Sequence, residues 1–297
     1  MRTKTLTCSL LMAAVAVLEL TVAAHAQVSE YQQKQWLNTP AVTSHVGNIT
    51  GDAKTAGNKM NGAYRRYCLV CHGELGDGNG ESAKWFEPPV YPKPRDFTLA
   101  VFECRSTPTG TLPTDQDLFD TIARGLDRSN MPPWNTFTKQ ERADLVAWLK
   151  HYSPRWQNEK PGAPIQIPAE PEVTSDRVKA GQDVFNRVQC WKCHGVEGRG
   201  NGPSASTLQD DLGRPIFPYN FTSGERPKCG STDRDLYRIF MTGLDGTPMP
   251  SFADNIKPDE AWDLVFYLRT LQPRNLYNAK EKEIARQLGL KPINPNP

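Results

Sequence analysis

The chain has 297 residues, with 35 Lys and Arg against 33 Asp and Glu and a formal net charge of +2. That length accommodates about two ordinary domains, and so even a charge balance argues against a nucleic-acid-binding surface. Hydrophobic residues are only 38% of the chain, and 25 prolines and 22 glycines interrupt it, so large side-chain cores are not expected. At the N-terminus, Arg2 and Lys4 precede a largely apolar stretch from Leu6 to Ala24, interrupted by Glu19 and followed by Ala24-His25-Ala26. This is the pattern of an export signal with a small-residue cleavage site, expected over residues 1–26. Its removal takes Cys8 with it and leaves 33 basic residues against 32 acidic ones. The rival is an uncleaved anchor, disfavoured because the stretch is near the lower limit for a span and carries a charge. No later stretch is apolar enough to cross a membrane. Residues 27–51 form an N-terminal extension without a counterpart elsewhere in the chain.

An amphipathic run over residues 53–67 leads into Cys68-Leu69-Val70-Cys71-His72, and a second run over residues 176–189 leads into Cys190-Trp191-Lys192-Cys193-His194. C-x-x-C-H is the spacing that attaches a c-type haem through two thioethers, with the adjacent His as proximal iron ligand. A thioredoxin-like site would need a βαβ pattern, which neither stretch has. A single zinc held by two C-x-x-C pairs would not need a His after each. Two covalently bound haem c groups are therefore expected. Export together with haem attachment points to the periplasm.

The two motifs lie 122 residues apart, and the sequence around them repeats. Gly76-Asp77-Gly78-Asn79-Gly80 matches Gly198-Arg199-Gly200-Asn201-Gly202; Asp96-Phe97-Thr98 matches Asn220-Phe221-Thr222; Cys104 precedes the next match as Cys229 does. The glycine run has too few acids to be a calcium loop, and a turn packed close to a haem edge is expected. Thr114 and Thr232 each open a helix that stops at Gly125 or Gly243. Met131-Pro132 and Met249-Pro250 follow. A last helix runs over residues 139–152, with Thr138 and Glu141 as a capping box, and its counterpart over residues 258–271, with Pro258 in the first turn. Residues 154–174 are proline-rich and read as a linker. The expected division is a domain over 52–153, the linker over 154–174, a domain over 175–275 and a C-terminal tail over 276–297.

The order of haem motif, glycine loop, middle helix, Met-Pro and C-terminal helix resembles class I cytochrome c, twice in tandem. The resemblance covers roughly residues 52–153 and 175–273. It implies a mainly α fold and a Met on the loop before the last helix as second axial ligand, which lands on Met131 and Met249. Those residues lie 59 and 55 positions after His72 and His194. A Met that merely fills a core gap is the alternative, weakened by its recurrence in both copies. His72/Met131 and His194/Met249 would give six-coordinate, low-spin iron suited to one-electron transfer. Met60 and Met241 lack counterparts and are expected to pack in helices; His45 and His151 do not recur and are taken as surface residues.

With the four haem thiols and Cys8 set aside, Cys104 and Cys229 remain. In an oxidising compartment they favour an interdomain disulfide. A thiol acting on or near the haem and two separate buried cysteines stay open as alternatives. The function expected is a periplasmic electron carrier without enzymatic activity, or the electron-transfer subunit of an oxidoreductase complex. Its donor and acceptor would be membrane or periplasmic redox proteins. It would not be integral to the membrane and would not bind nucleic acid. The alternative is a haem enzyme, either a dihaem peroxidase or a sulfur-compound dehydrogenase using Cys104 or Cys229.

Overall fold

The computed structural model describes residues 63–85, 92–273, 275 and 278–290. The expected leader, the N-terminal extension with His45, residues 53–62 with Met60, and the final residues 291–297 lie outside the described residues. Among the described residues the regular structure is helical, with no strand and one isolated bridge between Gln209 and Pro215.

In the first repeat a π-helical turn, Tyr64–Cys68, runs into the short helix α1, Leu69–His72. Helix α2 spans Asp115–Arg124 and α3 spans Lys139–Leu149. A single turn, α4, Arg155–Asn158, follows. The second repeat has α5, Ser175–Arg187, α6, Trp191–His194, α7, Asp233–Thr242, and α8, Pro258–Leu271. The helix starts follow local chemistry. Thr114 and Thr232 each accept from the backbone N–H three residues on at 3.1 Å, and Asp117 and Asp235 return the bond to the cap backbone at 2.9 and 3.1 Å. Thr138 and Glu141 do the same for α3. These capping boxes satisfy donors that a helix start otherwise leaves free. Helix α5 ends before the predicted residue 189, because Gln189 adopts φ +59° and turns the chain into the haem motif. The π turn occupies the equivalent place in the first repeat, so a break in the α pattern aims each motif.

In the second repeat α5 crosses α8 in close contact. A Cβ at Gly181 would stand 1.9 Å from the Asp263 carbonyl oxygen, so only glycine permits this approach. Arg177 and Asp263 pair across the crossing at 2.7 Å. Val178, Phe185, Trp262, Val265 and Phe266 form the core beside it, each fully buried. In the first repeat Ala63, Tyr64, Leu145 and Val146 hold the corresponding core.

Two segments hold more structure than their composition announces. The predicted tail from residue 276 contains a helix, α9, Ala279–Leu288, which packs on α5 and α8 and buries Ile284 in the second core. The signal for it, Ala279, Ile284 and Leu288 among charged residues, is short and lacks a capping side chain, so the stretch reads as polar tail. The linker is not a free tether. Arg155 donates to the carbonyls of Ala100 and Gly110 at 3.1 and 3.0 Å, and Ile165 N–H donates to Ser106 at 2.8 Å. Ile165, Ile167 and Val173 then pack on the second core.

The repeats are joined directly as well. Cys104 and Cys229, both buried, form a disulfide with Cα atoms 5.2 Å apart. Arg105, 2% exposed, donates to the Thr242 carbonyl at 2.5 Å and to Asp245 at 2.6 Å. Glu103 pairs with Lys228 at 2.9 Å and with Arg95. Burial alone would push the Glu103 carboxyl up; Lys228 and Arg95 together outweigh it and hold its pKa below the usual 4.5.

Three outcomes are expected. Gly181→Val forces the α5–α8 crossing apart and lowers stability by about 1–3 kcal/mol or more, read from the denaturant midpoint. Replacing Cys104 and Cys229 together by Ser lowers stability by about 2–4 kcal/mol, and alkylation of the unreduced parent labels neither. The stabilising effect of the Glu103 charge is complete above pH 4.5 and is lost as pH falls through the lower folded-state value, so the melting temperatures of the parent and Glu103→Gln converge in acid.

Candidate functional site

Each repeat folds the two ends of its pattern around one cavity. Cys68, Cys71, His72 and Met131 line the first; Cys190, Cys193, His194 and Met249 line the second. The cysteines are placed by the short helices: Cys68 and Cys190 are their N-cap residues, and Cys71 and Cys193 lie within them. Desolvation pushes the Cys68 and Cys190 thiols up to about 12.

The glycine loops brace these helices from below. Gly78 and Gly80 N–H donate to the carbonyls of His72 and Cys71 at 3.0 and 3.1 Å; Gly200 and Gly202 repeat this to His194 and Cys193 at 2.7 and 3.0 Å. A Cβ on Gly80 would lie 2.4 Å from the Val70 carbonyl oxygen, and one on Gly202 would lie 2.3 Å from that of Lys192. Asp77 accepts from Asn79 N–H at 3.1 Å within the loop, and Arg199 pairs with Glu197. The loop is thus a brace for the motif.

The histidines are held identically. His72 Nδ1 lies 3.1 Å from the Arg95 carbonyl and His194 Nδ1 lies 2.9 Å from that of Tyr219. A carbonyl can only accept, so Nδ1 carries the proton and Nε2 keeps the lone pair. Burial lowers the His72 pKa to about 4 and lowers that of His194, so both rings are neutral at ordinary pH. Phe97 stacks on His72 at 4.4 Å, and Phe221 lies 5.1 Å from His194.

The methionines arrive on loops pinned to the middle helices by matching bonds. Leu126 N–H donates to the Met131 carbonyl at 3.1 Å and Leu244 N–H to that of Met249 at 3.0 Å. Ser129 and Thr247 hydroxyls accept from the Met131 and Met249 N–H groups at 3.1 and 3.2 Å. Trp134 and Phe252 N–H bond back to Ile122 and Phe240 at 3.0 and 2.9 Å. Met241 packs in the second core instead, and His151 is exposed and lines neither cavity.

Two thiols, an imidazole with its lone pair available and a thioether around an aromatic-walled cavity fit a haem c. They do not fit a bare ion: among the described residues no group of three or more His, Cys, Asp or Glu could hold one. Sequence reasoning missed one part of the site. The two cavities share a wall, in which Pro92, Lys93, Arg95, Glu103 and Lys228 line both. The available signal was that Glu103 and Lys228, which precede the repeat-matched cysteines, have opposite charges.

Two family profiles match the chain. Cytochrome c matches residues 178–272, and cytochrome C oxidase, cbb3-type, subunit III, matches residues 55–149. Among solved structures, a chain of a reducing HAO-like protein complex from Kuenenia stuttgartiensis is similar, with 43% identity and a TM-score of 0.67. The alignment covers 71% of this chain and 94% of that one. No curated protein gives a significant sequence match. Among the described residues, no helix is long and apolar enough to cross a membrane. The chain belongs to the cytochrome c family, as a two-domain dihaem member of class I fold whose domains carry covalently bound haem c for electron transfer.

Proposed function

We propose that the protein is a periplasmic one-electron carrier with His72/Met131 ligation in its first domain and His194/Met249 ligation in its second. Cys68 and Cys71, and Cys190 and Cys193, are the attachment residues for two haem c groups. The observation that carries this is the placing of a neutral His and a Met on the walls of one cavity, by the same hydrogen bonds, in both repeats. Bound haem supplies a one-electron ferric/ferrous couple whose potential is raised by thioether ligation. The chain supplies the rest. The Arg95 and Tyr219 carbonyls fix the imidazole tautomer and orientation. The pinned loops hold each Met in place, and aromatic side chains line the cavity walls. The common wall places the two sites side by side, which favours exchange between them.

The partners are redox proteins, one donating and one accepting. The solved neighbour comes from a complex, which supports a role as the electron-transfer subunit of a larger oxidoreductase assembly. The enzyme alternatives fit less well. A peroxidase needs an open iron site, and two equivalent methionines leave none. A sulfur-compound dehydrogenase using Cys104 or Cys229 needs a free thiol, and both are held in the disulfide.

Optical and EPR spectroscopy of the haem-loaded protein during a redox titration under carbon monoxide tests the proposal. Two low-spin haems that ignore carbon monoxide are expected. Met131→Ala and Met249→Ala should each open one haem to it and lower that haem's potential. A high-spin haem or prompt carbon monoxide binding by the parent protein would refute the carrier.

A further inference from the structure

The wall between the cavities holds a charge cluster drawn from both repeats. Arg95 and Glu103 belong to the first, Lys228 to the second, and each lines both cavities. Glu103 is its centre: Oε1 takes Arg95, Oε2 takes Lys228 at 2.9 Å, and the side chain is 10% exposed. Two cations on two oxygens fix this carboxylate in place and keep it ionised. None of the three residues is an attachment residue or an axial ligand, so their charges act on the sites from outside the ligand sets. The cluster also joins the two repeats, beside the disulfide and the Arg105–Asp245 pair.

A fixed charge beside a redox centre changes the energy of its oxidised form relative to its reduced form, and the effect grows where water is excluded. We propose that the Arg95–Glu103–Lys228 cluster sets the reduction potentials of both haems jointly, Glu103 lowering the two and Arg95 and Lys228 raising them. The inference rests on the two-haem function proposed above. Because each group lines both cavities, a change in it moves the two potentials in one direction. The difference between them, which drives exchange from one site to the other, then changes by less than the larger of the two shifts. The carrier's overall potential is thereby adjustable without imposing a barrier between its own centres. Arg95 also reaches the first site through its backbone, whose carbonyl takes the His72 Nδ1–H. The disulfide adjoins the cluster, since Glu103 and Lys228 immediately precede its two cysteines, and it keeps the charges of the two repeats at fixed separation.

Spectroelectrochemical titration of the full haem-loaded protein and of Glu103→Gln and Lys228→Gln tests this. Glu103→Gln removes one negative charge and keeps the shape. Both potentials should rise, each ferric/ferrous equilibrium changing about tenfold, which is about 59 mV for a one-electron couple. Lys228→Gln should lower both by a similar factor. It leaves Glu103 paired with Arg95, so it decides the question if Glu103→Gln fails to assemble. Low-spin spectra unchanged from the parent separate an electrostatic effect from a disturbed ligand set. A shift confined to one haem, shifts of opposite sign within one variant, or no shift overturns the joint control. A parent protein lacking two low-spin haems would overturn the two-haem function itself, so the two failures are distinct.

Discussion

Both haem-motif histidines donate Nδ1–H to a main-chain carbonyl, Arg95 in one repeat and Tyr219 in the other, and the rest of each site is arranged around that bond. It fixes which ring nitrogen keeps its lone pair and holds the ring at one angle. The acceptor lies on the loop that returns past the glycine brace, and Phe97 and Phe221 on the same loops pack against the rings. Phe97 and Phe221 N–H in turn donate to Gly76 and Gly198 at 2.7 Å. Motif helix, glycine loop and aromatic therefore form one closed circuit of bonds. A substitution at any of its glycines would shift the histidine without touching it.

The second organising feature is the meeting of equivalent positions. Two repeats of one unit present similar surfaces to each other, and similar surfaces bring like charges together. Here the problem is solved by divergence at single positions. Glu103 faces Lys228, its counterpart in the other copy, and the neighbouring cysteines join covalently. Arg105 is buried against Asp245 and the Thr242 carbonyl, with further bonds from its guanidinium to Phe102 and Pro108. A buried guanidinium is costly to desolvate, so such a pair adds little net stability. It does penalise any other docking of the two repeats, in which Arg105 would be left unpartnered.

Much of this was legible in the residues. The capping threonines and closing glycines bounded the middle helices, Pro258 marked the first turn of α8, and the haem motifs with their matched methionines picked out residues that line one cavity per repeat. What escaped was either non-local or carried by the backbone. No side-chain pattern announces that the carbonyls of Arg95 and Tyr219 take the histidine protons. Helix α9 escaped because one buried isoleucine and its flanking apolar residues form too narrow a stripe to stand out. The linker's hydrogen bonds to Ala100, Gly110 and Ser106 depend on folded neighbours, and its composition reports only its prolines.

The disulfide also constrains the order in which the molecule can be made. Cys104 lines the same cavity as Cys68 and Cys71, while its partner lies 125 residues further along the chain. A nascent first repeat therefore holds three thiols around one space, and the correct partner of one of them does not yet exist. Thioether formation at Cys68 and Cys71 would remove the two local competitors, and the same step at Cys190 and Cys193 would leave Cys229 as the remaining partner of Cys104. Haem attachment before thiol oxidation would therefore leave the cross-link one pairing, whereas oxidation first would offer it several.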